Sequence, residues 1–320
     1  MRASIIIPAW NGAPYLEACL SSVLGWLAPE HDIVIIDNGS TDGTGEIARR
    51  HASDARVRVI DNGVNMGFAH AINQGLALAP GDVLILLNQD TVSLRDWLSP
   101  VLAAIACDER IGILGCRLRY PDGRVQHAGG WVNPRGEGAH FRDDPPSDAN
   151  GLTDVAFVTG ACLAITRACL EEIGPLDEGF GRAYFEDVDW CYRARRAGYR
   201  VVYFGQAELI HAERSAAASD DIAGMANYHG NRLRFVVKHY SVEALSTFLA
   251  DEGAWLRGLG PVGARLVAAM QRVYFRHCLG LRELTRTRAA GSGAKVTADE
   301  IDTIACALAA LRAIAPLETR

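Results

Sequence analysis

The chain has 320 residues, 49% of them hydrophobic and 22% charged, with a formal net charge of -6. That length accommodates one large α/β domain with an appendage, or two modest domains, and the acid excess argues against a general nucleic-acid binder. No apolar run approaches the roughly 18 residues that span a bilayer, and the N-terminus enters an apolar stretch without the basic, apolar and cleavage regions of a signal peptide.

In chain order, residues 4–7 read as an apolar strand and residues 14–27 have helical spacing through Leu16, Leu20, Val23, Leu24 and Leu27. Residues 33–36 form a second apolar strand, followed by the turn-rich Asp37-Asn38-Gly39-Ser40-Thr41-Asp42-Gly43. Residues 46–51 look helical, 57–60 extended and 68–79 helical, and Gly81 breaks the chain. Then Val83 to Leu87 run without a polar residue into Asn88-Gln89-Asp90, the pattern of a strand buried on both faces of a parallel sheet. Residues 94–107 are predicted helical and 111–114 extended. Repeated βα units with short loops imply a mainly parallel sheet with helices on both faces. Right-handed crossovers would gather the loops bearing Asn11, Asp37 and Asp90 at one edge.

Residues 117–150 lose periodicity and are rich in Gly, Pro, Asp and His, as expected of long loops with a short hairpin lining a cleft. Residues 154–166 are apolar around Gly160, and a helix is predicted over 167–173. A further helix starting near Glu186 places Glu186, Asp187 and Asp189 first and Arg193, Arg195 and Arg196 last, as the helix dipole favours. Residues 199–204 read as a strand, with His211 shortly beyond, and from about Ser219 the pattern turns helical, beginning with a helix over 220–240. We therefore expect a domain over 1–218 and a helical extension over 219–320. The eight cysteines form no CxxC pair and lie mostly in apolar context, which fits reduced thiols in a cytosolic protein better than disulfides or a metal cluster.

Several of these residues could carry chemistry. Asp90, just past a buried strand, could hold a divalent cation with substrate phosphates, or it could cap a helix beginning near Leu94. Asp37 could accept from a base or a ribose hydroxyl, or organise an Asx turn with Ser40 or Thr41. A carboxylate of the 186–189 cluster could serve as general base; dipole complementarity alone also accounts for acids there. His211 could bind metal, or be a structural histidine. Neither GxGxxG nor a Walker sequence follows the first strand, which weakens dinucleotide and P-loop readings.

The ordered series Pro8-Ala9-Trp10-Asn11, Asp37 to Thr44, Asn65-Met66-Gly67-Phe68-Ala69, Leu87-Asn88-Gln89-Asp90, Phe185-Glu186-Asp187-Val188-Asp189 and His211 resembles glycosyltransferase family 2, most of all its bacterial rhamnosyltransferase-type members. The resemblance covers residues 3–240 or so. It implies a GT-A fold, a nucleoside-diphosphate-sugar donor (dTDP-, UDP- or GDP-linked), a divalent metal such as Mg²⁺ or Mn²⁺, and inversion at the anomeric carbon. By position, Pro8, Ala9, Asn11, Asp37, Asn65, Gly67, Phe68, Asn88, Gln89 and Asp90 would bind the donor. Asp90 and His211 would hold the metal, and Asp187 would be the base, with Glu186 and Asp189 beside it in the acceptor site. Asn88 departs from the family's DxD pattern and removes one negative charge from the metal environment. The absence of QxxRW and of a membrane helix argues against a processive synthase. A non-catalytic nucleotide- or carbohydrate-binding relative of the same fold is the alternative.

Between Arg257 and Arg288 seven arginines face one acid, Glu283, interleaved with Leu266, Val267, Met270, Val273, Tyr274 and Phe275. Such a basic amphipathic helix could lie on an anionic membrane and suit a lipid-linked saccharide acceptor, or pack against the catalytic domain or a second subunit of a homodimer. The expected location is cytoplasmic, with peripheral membrane contact in the first case.

Overall fold

The structure is a computed structural model and describes residues 1–148, 151–181, 183–213, 222–259, 264–280 and 297–312. The chain divides into two units, residues 1–131 with 138–214, and residues 132–137 with 215–320.

The first unit opens with three parallel strands joined by helices: β1 (Ala3–Ala9), α1 (Ala13–Leu24), β2 (Asp32–Asp37), α2 (Thr44–His51), β3 (Val57–Asp61) and α3 (Phe68–Leu78). Pro14 sits in the first turn of α1, where its missing N–H costs nothing. β4 (Val83–Leu87) and the two-residue β5 (Thr91–Val92) lead to α4 (Leu98–Cys107) and β6 (Ile111–Arg119). β7 (Val125–His127), β8 (Gly130–Val132) and β9 (Gly138–His140) are short, as the aperiodic 117–150 stretch predicted, and β10 (Leu152–Asp154) follows just beyond it. β11 (Cys162–Thr166), α5 (Arg167–Ile173), α6 (Glu186–Arg196) and β12 (Arg200–His211) complete the unit.

The main sheet runs β10-β12-β6-β11-β4-β1-β2-β3, with β5 on β12 and β7 on β6; β8 and β9 form a separate pair. β4, β1, β2 and β3 are parallel neighbours, and β12 is parallel to β6. β11 enters antiparallel between β4 and β6. All five residues of β4 are fully buried, as are Ile5, Ile6 and Ile7 of β1. Truncating one of these leucines to alanine would cost about 2–5 kcal/mol, because a close-packed interior leaves a cavity.

Two of the boundaries that differ from the sequence reading bear on the site. The helix expected from residue 94 begins at Leu98, because Thr91 and Val92 pair with β12 first. The strand expected over 199–204 continues to His211, through a register shift between Phe204 and Glu208. His211 is therefore a strand residue.

The second unit contains α7 (Ile222–His239), α8 (Val242–Gly258), α9 (Ala264–Leu279) and α10 (Ala298–Arg312). Ser241 caps α8 by accepting from the N–H of Ala244 at 3.1 Å. α9 packs against α7 and α10. Its apolar residues Leu266, Val267, Met270, Val273 and Tyr274 are buried in that packing, while Arg265, Arg272, Phe275 and Arg276 remain exposed. Of the two readings of this stretch, packing accounts for these five residues, which are covered inside their own unit. Arg282, Arg286 and Arg288 lie outside the described residues. Among the described residues, no helix is long and apolar enough to cross a membrane.

Candidate active site

The predicted loops converge at the carboxyl edge of the sheet. Ala9 lies opposite Asp37 in register, and the N–H of Asn38 donates to Ala9 O at 2.7 Å. Asn11 sits in the left-handed region (φ 46), which asparagine tolerates. Its side-chain oxygen accepts from the Thr41 N–H at 2.8 Å, and its own N–H donates to Ser40 Oγ at 3.0 Å. Asp37 is 3% exposed and accepts from the Ser40 N–H at 3.0 Å, so it organises the Asx turn.

Asn38, unassigned in the sequence reading beyond its turn, is the hub of this edge. Its amide donates to Asn65 Oδ1 and Gly67 O, both at 3.2 Å, and its oxygen accepts from the Met66 N–H at 3.0 Å. Three polar contacts from one buried side chain thus hold the 65–67 loop against β2. Gly39 (φ 74) must be glycine for a second reason: a Cβ there would lie 2.5 Å from the Val64 backbone.

Gln89 ties the β4 exit to the β1 loop. Its oxygen accepts from the Trp10 N–H at 3.1 Å and its amide donates to Trp10 O at 3.0 Å. Gly12 leaves the space for this clamp, since a Cβ there would sit 2.0 Å from Gln89 Oε1. Trp10 itself is 39% exposed, leaving a flat indole open at the edge.

The pairing of β5 with β12 sets Thr91 opposite His211. Asp90 is thereby carried to His211, with Oδ1 3.2 Å from Nε2 and both side chains 10% exposed. The amide of Asn88 lies 3.4 Å from the same Nε2. This sets aside the helix-cap reading of Asp90. Asp96 serves α4 instead, accepting from the N–H groups of Leu98 and Ser99 at 3.1 Å.

His211 Nδ1 lies 2.7 Å from the side-chain oxygen of Gln126. With its proton on Nδ1, the imidazole turns a bare Nε2 toward the Asp90 carboxylate. Two acceptors 3.2 Å apart repel unless a cation or proton lies between them. An imidazole nitrogen and a carboxylate oxygen are ordinary donors to a divalent metal, so the residues fit one. Among the described residues no group of three or more His, Cys, Asp or Glu could hold a metal ion.

Tyr184 (φ 79) and Phe185 (φ 72) are consecutive left-handed residues immediately before α6. Bulky residues in that region are strained by roughly 1–3 kcal/mol each, and such strain concentrates at functional sites. Asp187 follows, with Oδ2 accepting from the Gly160 N–H at 2.9 Å and Oδ1 from the Val188 N–H at 2.8 Å. Burial raises its pKa, opposed by those amides and by the Thr159 hydroxyl. A Cβ at Gly160 would meet Phe68 at 3.6 Å and Asp187 at 3.7 Å, so Phe68 and Asp187 share one wall. The next residue, Ala161, accepts from the Asn88 N–H at 3.0 Å. The 159–161 turn thus joins the Asp90 side to the Asp187 side.

Glu186 is 7% exposed, and its Oε2 has no hydrogen-bond partner. Burial, then the charge of Asp187, push its pKa up to about 8. Asp189 is placed differently from the expectation. It is 0% exposed and accepts from Arg193 Nε at 2.9 Å. Arg193 also donates to the carbonyls of Gly174 at 3.3 Å and Pro175 at 2.7 Å. The pair pins α6 to the end of α5 and is closed to an acceptor. On the same 159–161 turn, the Thr159 N–H donates to His127 Nε2 at 3.3 Å, and His127 Nδ1 lies 2.7 Å from His140 Nδ1. Burial holds His127 well below the usual histidine range and His140 at about 4, so the pair is neutral.

The mostly parallel sheet with its flanking helices is the fold of the GT-A glycosyltransferases. The chain superposes on GalNAc-T7, solved with UDP, GalNAc and Mn²⁺, with a TM-score of 0.65 at 20% identity, covering 79% of this chain and 51% of that one. It superposes on S. aureus TarS 1-349 in complex with UDP-GlcNAc with a TM-score of 0.60 at 15% identity, over 98% and 92% of the two chains.

Residues 4–174 match the Glycosyl transferase family 2 profile, and the chain belongs to that family. It is 33% identical to uncharacterized protein y4gI of Sinorhizobium fredii over 68% of this chain, but spans only 25% of that relative's length. It is 28% identical to an N-acetylglucosaminyl-diphospho-decaprenol L-rhamnosyltransferase of Mycobacterium tuberculosis, over 74% of this chain and 84% of that one. O-antigen biosynthesis protein RfbC of Myxococcus xanthus is 29% identical over 69% of this chain and 18% of its own.

Proposed function

We propose that the chain is an inverting, metal-dependent, non-processive glycosyltransferase that moves a hexose from a nucleoside-diphosphate donor to a saccharide or lipid-linked saccharide. Supporting this is the facing of Asp90 Oδ1 and His211 Nε2 at 3.2 Å, on the sheet edge whose 159–161 turn also positions Asp187. The M. tuberculosis relative's name describes a lipid-linked acceptor and rhamnosyl transfer, which favours that acceptor class and rhamnose as the first sugar to test.

In this reading Asp90 and His211 would hold Mg²⁺ or Mn²⁺, which would supply positive charge to offset the negative charge developing on the leaving diphosphate. The donor-side loops position the nucleotide: Pro8, Ala9 and Asn11 on one side, Asn65, Gly67 and Phe68 on the other, with Gln89 fixing Trp10. Asp187 takes the proton from an acceptor hydroxyl as that oxygen bonds to the anomeric carbon. The bond from the anomeric carbon to the diphosphate oxygen breaks with its electron pair leaving on the diphosphate, so attack from the opposite face inverts the centre. The Gly160 and Val188 amides orient that carboxylate. A neutral Glu186 beside it limits charge repulsion in the acceptor site and can donate its proton to an acceptor oxygen.

Exchange of Asp187→Asn keeps the shape and should preserve donor binding while lowering transfer by about 10²–10⁴-fold, the usual contribution of a general base. Near-normal turnover would move the base to Glu186. The rival reading, a non-catalytic binder, draws on Asn88 in place of an acid; binding of a nucleotide sugar with no product from any acceptor would favour it.

A further inference from the structure

Gln126 is 5% exposed on β7, in the aperiodic stretch where sequence patterns assign no role. Its amide nitrogen faces two groups that only accept, Glu213 Oε2 at 2.9 Å and His211 O at 3.5 Å. Rotating the amide would set its oxygen against the Glu213 carboxylate, acceptor against acceptor. The orientation is therefore determined by its partners, and the Gln126 oxygen must be the atom 2.7 Å from His211 Nδ1. An acceptor at that position requires a proton on Nδ1, and a neutral imidazole with Nδ1–H carries its lone pair on Nε2, which lies 3.4 Å from the Asn88 amide and 3.2 Å from Asp90 Oδ1. Glu213, which orders the amide, is itself held in the left-handed region (φ 45), a strained conformation for glutamate.

We infer that Gln126, ordered by Glu213, is a positioning residue that locks His211 in the Nδ1–H tautomer and presents Nε2 for metal binding. The inference rests on the reading that Asp90 and His211 hold the metal. It adds a second layer to that site: Glu213 orders Gln126, and Gln126 orders His211. Outer partners of this kind typically change metal affinity by about 10–100-fold.

The test uses the full chain with Mn²⁺ alone as probe, its affinity read by electron paramagnetic resonance, and long-range ¹H–¹⁵N spectra of histidine-labelled, metal-free protein. The His211 signal is identified by its loss in His211→Ala. Wild type should show Nδ1–H at His211. Gln126→Leu should lose that signature and weaken Mn²⁺ binding by about 10-fold or more. The double exchange Gln126→Glu with Glu213→Gln, which reverses the amide–carboxylate pair but keeps an acceptor on Nδ1, should restore both. An Nε2–H imidazole in wild type, a reading that needs no variant to fold, would overturn this inference alone. So would unchanged Mn²⁺ affinity in Gln126→Leu. No Mn²⁺ binding by wild type would overturn it together with the metal reading.

Discussion

Glu186 and Asp187 are adjacent carboxyls with different surroundings. Asp187 accepts two backbone amides at 2.9 and 2.8 Å, whereas Glu186 keeps one buried oxygen without a partner. Unequal environments divide acid from base roles between neighbouring carboxyls. The glutamate also leaves a mark on stability. Its carboxyl titrates near 4.5 when unperturbed and at about 8 in the folded chain. Between those values the folded state binds the extra proton, so stability is full below the lower value and falls as pH rises through the upper one. Urea unfolding at roughly pH 5 and pH 8.5 should show this decline, and Glu186→Gln should flatten it. An identical slope in the variant would place the titrating group elsewhere. Across the site, Asp90→Asn should weaken Mn²⁺ binding, because it removes the carboxylate charge facing His211. Calorimetric titration showing wild-type affinity in that variant would remove Asp90 from the metal site.

At the scale of elements, the proposed donor edge depends on two loops held by single side chains, Gln89 and Asn38. Gly12→Ala pushes the Gln89 amide out of its clamp on Trp10, since the new Cβ would lie 2.0 Å from its oxygen. The displaced group is the end of a flexible side chain, so the melting temperature should barely change. Donor KM should rise about tenfold, equivalent to about 1.4 kcal/mol; a KM equal to wild type would show that the Trp10 loop does not touch the donor. This edge was legible beforehand because buried parallel strands announce themselves as unbroken apolar runs, such as Ile5 to Ile7 and Val83 to Leu87. Chirality then places the loops that follow on one side. The other half of the site was harder to read. Asp90 meets His211 through β5, two residues long and too short to show a period. Gln126 and the 159–161 turn act through backbone and amide contacts that leave no periodic trace. Asp189 carried the same local signal as Asp187, and only the position of Arg193 separates a structural carboxylate from a site carboxylate.

The molecule joins a glycosyltransferase-fold unit to a helical unit with its own polar core. In the latter, Arg232 is 1% exposed and bonded to Glu252, which also accepts from the Tyr274 hydroxyl at 2.8 Å. The guanidinium lies 5.2 Å from the Phe248 ring centroid and 6.0 Å from that of Trp255. Glu252→Ala would leave the buried cation with only the more distant Glu137 at 3.9 Å and should destabilise the unit by up to about 3–5 kcal/mol, whereas replacing Arg232 and Glu252 together with apolar residues should recover much of that loss. Denaturant melts followed by tryptophan fluorescence would read both variants, and a mild single-variant effect would mean that Glu137 or water compensates the cation. Most of the apolar face of α9 is occupied within this unit, and Phe275 remains exposed beside its arginines.

The central claim is that one sheet edge combines an Asp90–His211 metal site with an Asp187 base to transfer a sugar. It is tested most directly by nucleoside-diphosphate release from UDP-, GDP- and dTDP-sugars with Mn²⁺ or Mg²⁺, using a panel of saccharide and lipid-linked acceptors. The account predicts acceptor-stimulated release from at least one donor, abolished by chelation and reduced at least about 10²-fold in Asp187→Asn. Release by wild type that persists unchanged under chelation and in Asp187→Asn, or no release from any donor, would contradict it.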